Sequence, residues 1–142
     1  MKIFKSCLRS MTWLGPLFLA GCVPFGGTAE VGMDPGALRA PHWIDVDALQ
    51  DGPPVSLSFQ SDSAVAGFAG CNRYAGSVQL TPQSVLFHSP STTRMLCEPE
   101  AMDTEQRYLK ALGATRSARM NKGVLELLDG QRKVLWRFKP LS

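Results

Sequence analysis

Seven or eight short stretches of alternating apolar residues, separated by turn signals and broken once by a helical period, set the limits on what this chain can fold into. Val55, Leu57 and Phe59 alternate with Ser56, Ser58 and Gln60, the pattern of a strand with one buried face. Trp43, Ile44 and Val46 suggest a strand before it, closed by Asp51-Gly52-Pro53-Pro54, and residues 64–68 form another short apolar run. Residues 77–80 and 84–87 read as a pair split by Thr81-Pro82-Gln83. Residues 115–120, 124–129 and 133–139 are strand-like, with turn signals at Asn121-Lys122-Gly123 and Asp129-Gly130-Gln131. Residues 98–112 differ. Pro99 suits a first helical position, and Glu98 and Glu100 suit the positive end of a helix dipole. Ala101, Glu105, Tyr108 and Leu112 share one side, Asp103 and Arg107 form an i,i+4 pair, and Gly113 reads as the terminator. The expected fold is α+β: a curved antiparallel sheet or incomplete β-barrel of about seven to eight strands, with one helix over an opening.

The first residues read as an address. Lys2, Lys5 and Arg9 precede an uncharged, mostly apolar run over residues 11–20, and no acid occurs before Glu30. That run spans roughly 15 Å as a helix, against the about 30 Å of a bilayer core, so it suits the apolar region of a secretory signal. Cutting after Ala20 or Gly21 puts Phe18 or Leu19 where soluble secretion wants a small residue. Leu19-Ala20-Gly21-Cys22 instead resembles the bacterial lipobox, in which the cysteine carries the lipid. Residues 1–21 are therefore expected to be a lipoprotein signal peptide, with Cys22 lipidated and several acyl chains giving firm membrane binding. Val23, where an Asp would resemble an inner-membrane retention signal, favours the outer membrane, facing the periplasm.

The chain has 142 residues, with 15 Lys plus Arg against 12 Asp plus Glu. Removing residues 1–21 removes three cations and leaves 12 against 12. A nucleic-acid binder keeps a basic surplus to displace counterions, so the balance argues against nucleic acid as a partner. Charge is uneven along the remainder: residues 22–70 hold six acids and one base, residues 71–142 eleven bases and six acids. Residues 23–41 hold four Gly and three Pro without periodicity, so 22–41 reads as a flexible tether and 42–142 as the folded domain.

Cys7 falls within the signal and Cys22 within the lipobox, which leaves Cys71 and Cys97. In an oxidising compartment an even pair reads as a disulfide, worth about 3.5 kcal/mol in the chain-entropy picture. A metal site built from Cys71, Cys97, His42 and His88 is the competing reading, though no Cys-x-x-Cys or His-x-x-x-His spacing supports it. A Cys–His nucleophile is a third, with nothing to orient a histidine toward either thiol.

Residues 67–77, Gly-Phe-Ala-Gly-Cys-Asn-Arg-Tyr-Ala-Gly-Ser, resemble the central motif of the META domain (DUF306), the domain of the HslJ heat-shock lipoproteins. Thr93-Arg94-Met95-Leu96-Cys97, followed by a helix carrying Glu105 and Leu109, is similar to the second motif. A closing hairpin from Leu125-Glu126-Leu127 through Leu135 and Phe138 is similar to the third. Arg39-Ala40-Pro41-His42-Trp43 departs from the family's usual Leu-x-Gly-x-Trp opening. The resemblance covers residues 42–142. It implies a small exported α+β domain, often lipid-anchored, associated with heat shock, envelope stress or resistance to a hydrophobic antibiotic, and in some members with motility or virulence. It implies no established reaction.

The motif residues read as structural. Gly67, Gly70 and Gly76 suit positive φ or close backbone approach, Asn72 a turn in which it bonds its own backbone, and Tyr74 a buried ring with a bonded hydroxyl. Thr93 and Met95 are expected on one face of a strand, Met95 inward, with Arg94 on the other. Arg94 and Arg73 are the candidate surface contacts, a small cationic patch near the cysteines. No paired carboxylates, Ser–His–Asp order, phosphate loop or metal spacing is visible, so no catalytic residue, metal or cofactor is expected. Three functions remain. The leading one is a lipid-anchored, non-catalytic module binding an envelope protein or an apolar small molecule. The second is a structural or chaperone-like envelope factor without a discrete pocket, and the third an enzyme.

Overall fold

A computed structural model describes residues 33–39, 41–47 and 54–141. The leader, Cys22, residues 22–32 and 40 of the expected tether, and the turn at 51–53 lie outside the described residues. In chain order the elements are α1 (Pro35–Arg39), β1 (Trp43–Asp45), β2 (Ser56–Phe59), β3 (Ala64–Phe68), β4 (Arg73–Leu80), β5 (Val85–Thr92), α2 (Pro99–Ala114), β6 (Ser117–Asn121), β7 (Val124–Leu128) and β8 (Val134–Pro140). All eight strands form one curled antiparallel sheet, a half-barrel, in the order β5-β4-β3-β2-β1-β8-β7-β6. The last strand pairs with the first, Ile44 opposite Lys139, so both ends of the fold lie mid-sheet. The Val85 N–H donates to the Arg116 carbonyl at 3.0 Å and ties the two outer strands together at one end.

Period-two alternation decides which face is inside. Leu57 and Phe59 on β2, Val65 on β3, Tyr74 and Val78 on β4, and Phe138 on β8 are buried, while the residues between them face outward. From α2, Tyr108 and Leu112 reach into the same core. Tyr108 is fully buried, with edge-on ring contacts to Tyr74 at 5.6 Å, Trp136 at 5.1 Å and Phe138 at 6.1 Å. Its hydroxyl lies 2.7 Å from that of Tyr74. The Tyr74 proton goes to the Ser56 carbonyl at 3.0 Å, so Tyr108 must be the donor between the two. Both hydroxyls thereby satisfy their burial in the middle of an apolar core.

Gly67 makes room for that arrangement. It pairs with Tyr74 across β3 and β4, and a Cβ on Gly67 would stand 2.1 Å from the Ser56 carbonyl and 2.8 Å from the Tyr74 ring. Because Ser56 gives its carbonyl to Tyr74, the Phe68 N–H takes the Ser56 hydroxyl instead, at 3.0 Å.

The elements differ from the sequence reading in three respects. Residues 33–39 are no tether: α1 buries Leu38, and the Leu38 carbonyl accepts the Trp43 indole N–H at 2.9 Å. One buried side chain in five residues leaves no periodicity to read, although the Asp34 carboxylate capping Gly36 before Pro35 is a helix-start signature. β4 and β5 are each eight residues, beginning at Arg73 and ending at Thr92, because their pairing continues past a bulge between Ala75 and Ser77. α2 runs through Gly113 to Ala114, so Gly113 is not the terminator. Thr115 ends the helix in extended conformation, its hydroxyl donating to the Ala111 carbonyl at 2.8 Å. The expected Asp103–Arg107 pair is present at 2.9 Å on the exposed side.

Gly67→Ala should lower stability by about 3 kcal/mol, since neither the Ser56 backbone nor the locked Tyr74 ring can yield to a methyl. Equilibrium urea unfolding measures it. Asp45 gives a pH-dependent companion. Burial, the largest cause, pushes its carboxyl above the usual 3.8. The neighbouring Asp47 carboxylate adds to this, while the Asp47 N–H and Arg137 oppose it. A carboxyl raised in the fold favours folding while protonated, and that contribution is lost as pH rises from about 3.8 through the raised value. Asp45→Asn should therefore be more stable than wild type at neutral pH, with the difference shrinking toward pH 3 in thermal melts.

Candidate functional site

The motif residues converge on Asn72, which is buried between β3 and β4. Its side-chain carbonyl accepts from the Thr93 hydroxyl at 2.8 Å and from the Met95 N–H at 2.7 Å. Its amide donates to the Met95 carbonyl and to Glu105 Oε1, each at 3.3 Å, and lies 3.4 Å from Cys71 Sγ. Its backbone N–H donates to Glu105 Oε2 at 2.7 Å. One carboxamide thus latches the β5–α2 loop by both backbone groups of Met95, and one helix carboxylate latches the carboxamide. Beside it a disulfide joins Cys71 to Cys97, which commits both thiols and overturns the metal and Cys–His readings of those residues. Among the described residues no three His, Cys, Asp or Glu side chains gather as a metal site.

Several expectations change in detail. Asn72 is not in a left-handed turn and does not bond its own backbone: Gly70 takes the positive φ, at 107°, and a Cβ there would press on Thr104 of α2 at 3.0 Å. Thr93, Arg94 and Met95 lie beyond the end of β5, and Met95 is 63% exposed rather than inward. The latch uses its backbone, so its side chain is free of the core. Tyr74 is buried with its hydroxyl bonded, and Gly76 lies at the bulge in the β4–β5 pairing. Arg73 and Arg94 are both exposed, and Thr93 donates its N–H to the Arg73 carbonyl, which places the two arginines beside the latch.

Among the described residues, large apolar side chains occupy the interior. The half-barrel is filled by Tyr108, Phe138, Leu57, Leu125 and Leu127, all essentially inaccessible. Burial pushes the Tyr74 and Tyr108 hydroxyls well above the ordinary tyrosine range, so both stay neutral and neither suits a base or nucleophile near pH 7. Trp136 Nε1, close to the Asp45 carboxylate but outside hydrogen-bond geometry, is a buried donor without a partner.

The outer face is different. Register aligns Ser58, Ala66, Ala75 and Ser91 in one cross-strand row of small side chains over β2, β3, β4 and β5. Phe68 and Arg73 stand beside it as a taller rung. The result is an open groove of about 610 Å³, rimmed by Gln60, His42 and Thr93. A second groove of about 400 Å³ adjoins it toward Ile44 and Leu141, and both share His42, Ser56, Phe68 and Arg73. Sequence reading missed this face because the four small residues lie on four strands and meet only once the register is known.

Fold and site together define a small α+β half-barrel with a latched loop and a filled core. The chain belongs to the META domain family, whose model matches residues 37–140. No curated protein matches it. Among solved structures it is similar to a protein determined by NMR at 18% identity, with a TM-score of 0.60 over 76% of this chain and 95% of that one. It is similar to a protein from Burkholderia xenovorans at 21% identity, with a TM-score of 0.56 over 96% of this chain and 99% of that one. A DUF4847 family protein from Bacteroides vulgatus shares 14% identity, with a TM-score of 0.55 over 73% of this chain and 94% of that one. At these identities the likeness is one of fold.

Asn72→Ala should cost about 3 kcal/mol, more than an ordinary surface change, because a whole set of bonds in a buried site goes at once. Glu105→Gln should cost about 1 kcal/mol, keeping one acceptor but facing its new NH₂ toward a donor. Chemical unfolding at matched pH checks both. Equal and negligible losses would contradict the latch.

Proposed function

We propose that this chain is an exported, lipid-anchored lipoprotein of the bacterial outer membrane that faces the periplasm and works by binding at its surface, without catalysis, in tolerance of envelope stress or hydrophobic antibiotics. The observation that carries the binding reading is the contrast between a filled interior and an open outer face where Phe68 and Arg73 flank a trough of small residues. An apolar small molecule enclosed in the barrel finds no room beside Tyr108 and Phe138, so an envelope partner docking on the outer face is favoured. No helix among the described residues is long and apolar enough to cross a membrane, so attachment through Cys22 rests on the Leu19-Ala20-Gly21-Cys22 lipobox. A second reading, a structural or chaperone-like factor without a discrete pocket, draws support from the apolar side chains exposed at Met95, Leu96 and Met120.

Cys22→Ser should abolish lipid attachment and leave the precursor uncut, as read by mass spectrometry of the native N-terminus. An unmodified mature start elsewhere, such as Glu30, contradicts the anchor. In a deletion strain challenged by heat or a hydrophobic antibiotic, Arg73→Ala and Phe68→Ala should each weaken complementation in graded fashion, as truncated binding surfaces do. Cys22→Ala behind a soluble signal should weaken it more. A folded single variant that behaves as a null, while the unanchored domain complements fully, points instead to an active site around that residue.

A further inference from the structure

The loop between β5 and α2 holds its most apolar side chains out of the fold: Met95 is 63% exposed and Leu96 92%. This loop is pinned on both sides of Leu96. The Asn72 carboxamide takes both backbone groups of Met95, and the disulfide fixes Cys97. An exposed apolar residue held in place gives up little conformational freedom on docking, which is where preorganised contacts gain affinity. Arg94 and Glu98 stand two residues to either side of Leu96. Both are exposed, and neither has an ion-pair partner among the described residues.

We propose that this loop is a docking point for a second copy of the same chain, the two loops packing antiparallel about Leu96. In that arrangement Leu96 meets Leu96 of the second copy, and Arg94 faces Glu98 of the second copy, twice over by symmetry. A two-fold contact needs a patch that is its own complement, and a cation and an anion equidistant from one apolar residue provide it. An anionic membrane surface fits less well: it attracts Arg94 but repels Glu98 and Glu100 on the same segment. The apolar pair on each copy buries on the order of a few hundred Å², below the about 1,000 Å² expected of a stable complex. The contact is therefore transient in dilute solution and gains from copies sharing one membrane, where tethering raises effective concentration. Only that gain rests on the lipid-anchored reading; the geometry does not.

The test uses the full chain in cells, with the photocrosslinker benzoylphenylalanine at position 96 and a second copy bearing a different tag. A product containing both tags is expected, about tenfold above that from the same photocrosslinker at position 120, where the exposed Met120 lies on β6. Arg94→Glu and Glu98→Arg should each cut the yield about fivefold, and the two together should restore most of it, because the charges are exchanged rather than lost. Thermal melts of the three variants, measured alongside, confirm that they are folded. Absence of the two-tag product, crosslinking at 96 to a different protein or to lipid in its place, or a yield indifferent to the charge exchange overturns the proposal. Cys22→Ala behind a soluble signal, which releases the domain from the membrane, separates the two readings. Equal yields with and without it, with the charge-exchange pattern intact, refute the anchoring and leave the docking contact standing.

Discussion

Asn72 places a carboxamide where the chain has just left its sheet, and that group supplies the pairing which the sheet no longer provides. Thr93 still gives its N–H to Arg73 of β4, and beyond it Met95 finds an acceptor for its N–H and a donor for its carbonyl on one side chain. Few side chains can do this. An aspartate of the same length has no donor and would set a second carboxylate against Glu105. A leucine would leave the Asn72 site's polar neighbours without a partner. The neighbouring disulfide and the close approach at Gly70 hold the same corner against α2, so loop, helix and sheet meet at a single polar contact surrounded by apolar packing.

That corner and the core divide the work of the fold. Tyr108 projects from α2 into the half-barrel and fills the space that a wider barrel would leave for a ligand. Its hydroxyl is satisfied by Tyr74, and Tyr74 in turn by the Ser56 backbone, so these two interior hydroxyls serve in building the core. Two features lie open on the outside: the small-residue trough beside Phe68 and Arg73, and the loop that carries Leu96.

The local elements were legible wherever one face is buried against water. Leu57 and Phe59 between serines mark β2, and Tyr108 and Leu112 mark the inner side of α2, because burial imposes a period of two or of about 3.6. The signal failed where a segment contributes one anchor, as Leu38 does in α1, or where the backbone and not the side chain is recognised, as at Met95. The resemblance carried by residues 67–77 and 93–97 placed Asn72, Thr93 and Glu105 among the residues that matter, but not how they meet. That depends on contacts between residues 23 and 33 positions apart, which no local pattern encodes. The outer groove was hidden for the same reason.

The claim on which everything else depends is that Asn72 fixes the loop through the backbone of Met95. Hydrogen exchange of the Met95 amide, followed by NMR in the native state, addresses it directly. A latched amide exchanges orders of magnitude more slowly than an open loop, although the Met95 side chain is mostly in solvent. The account predicts marked protection at Met95 and none at Leu96, whose N–H has no partner in the latch. Exchange at Met95 as fast as that of an unstructured peptide would contradict it.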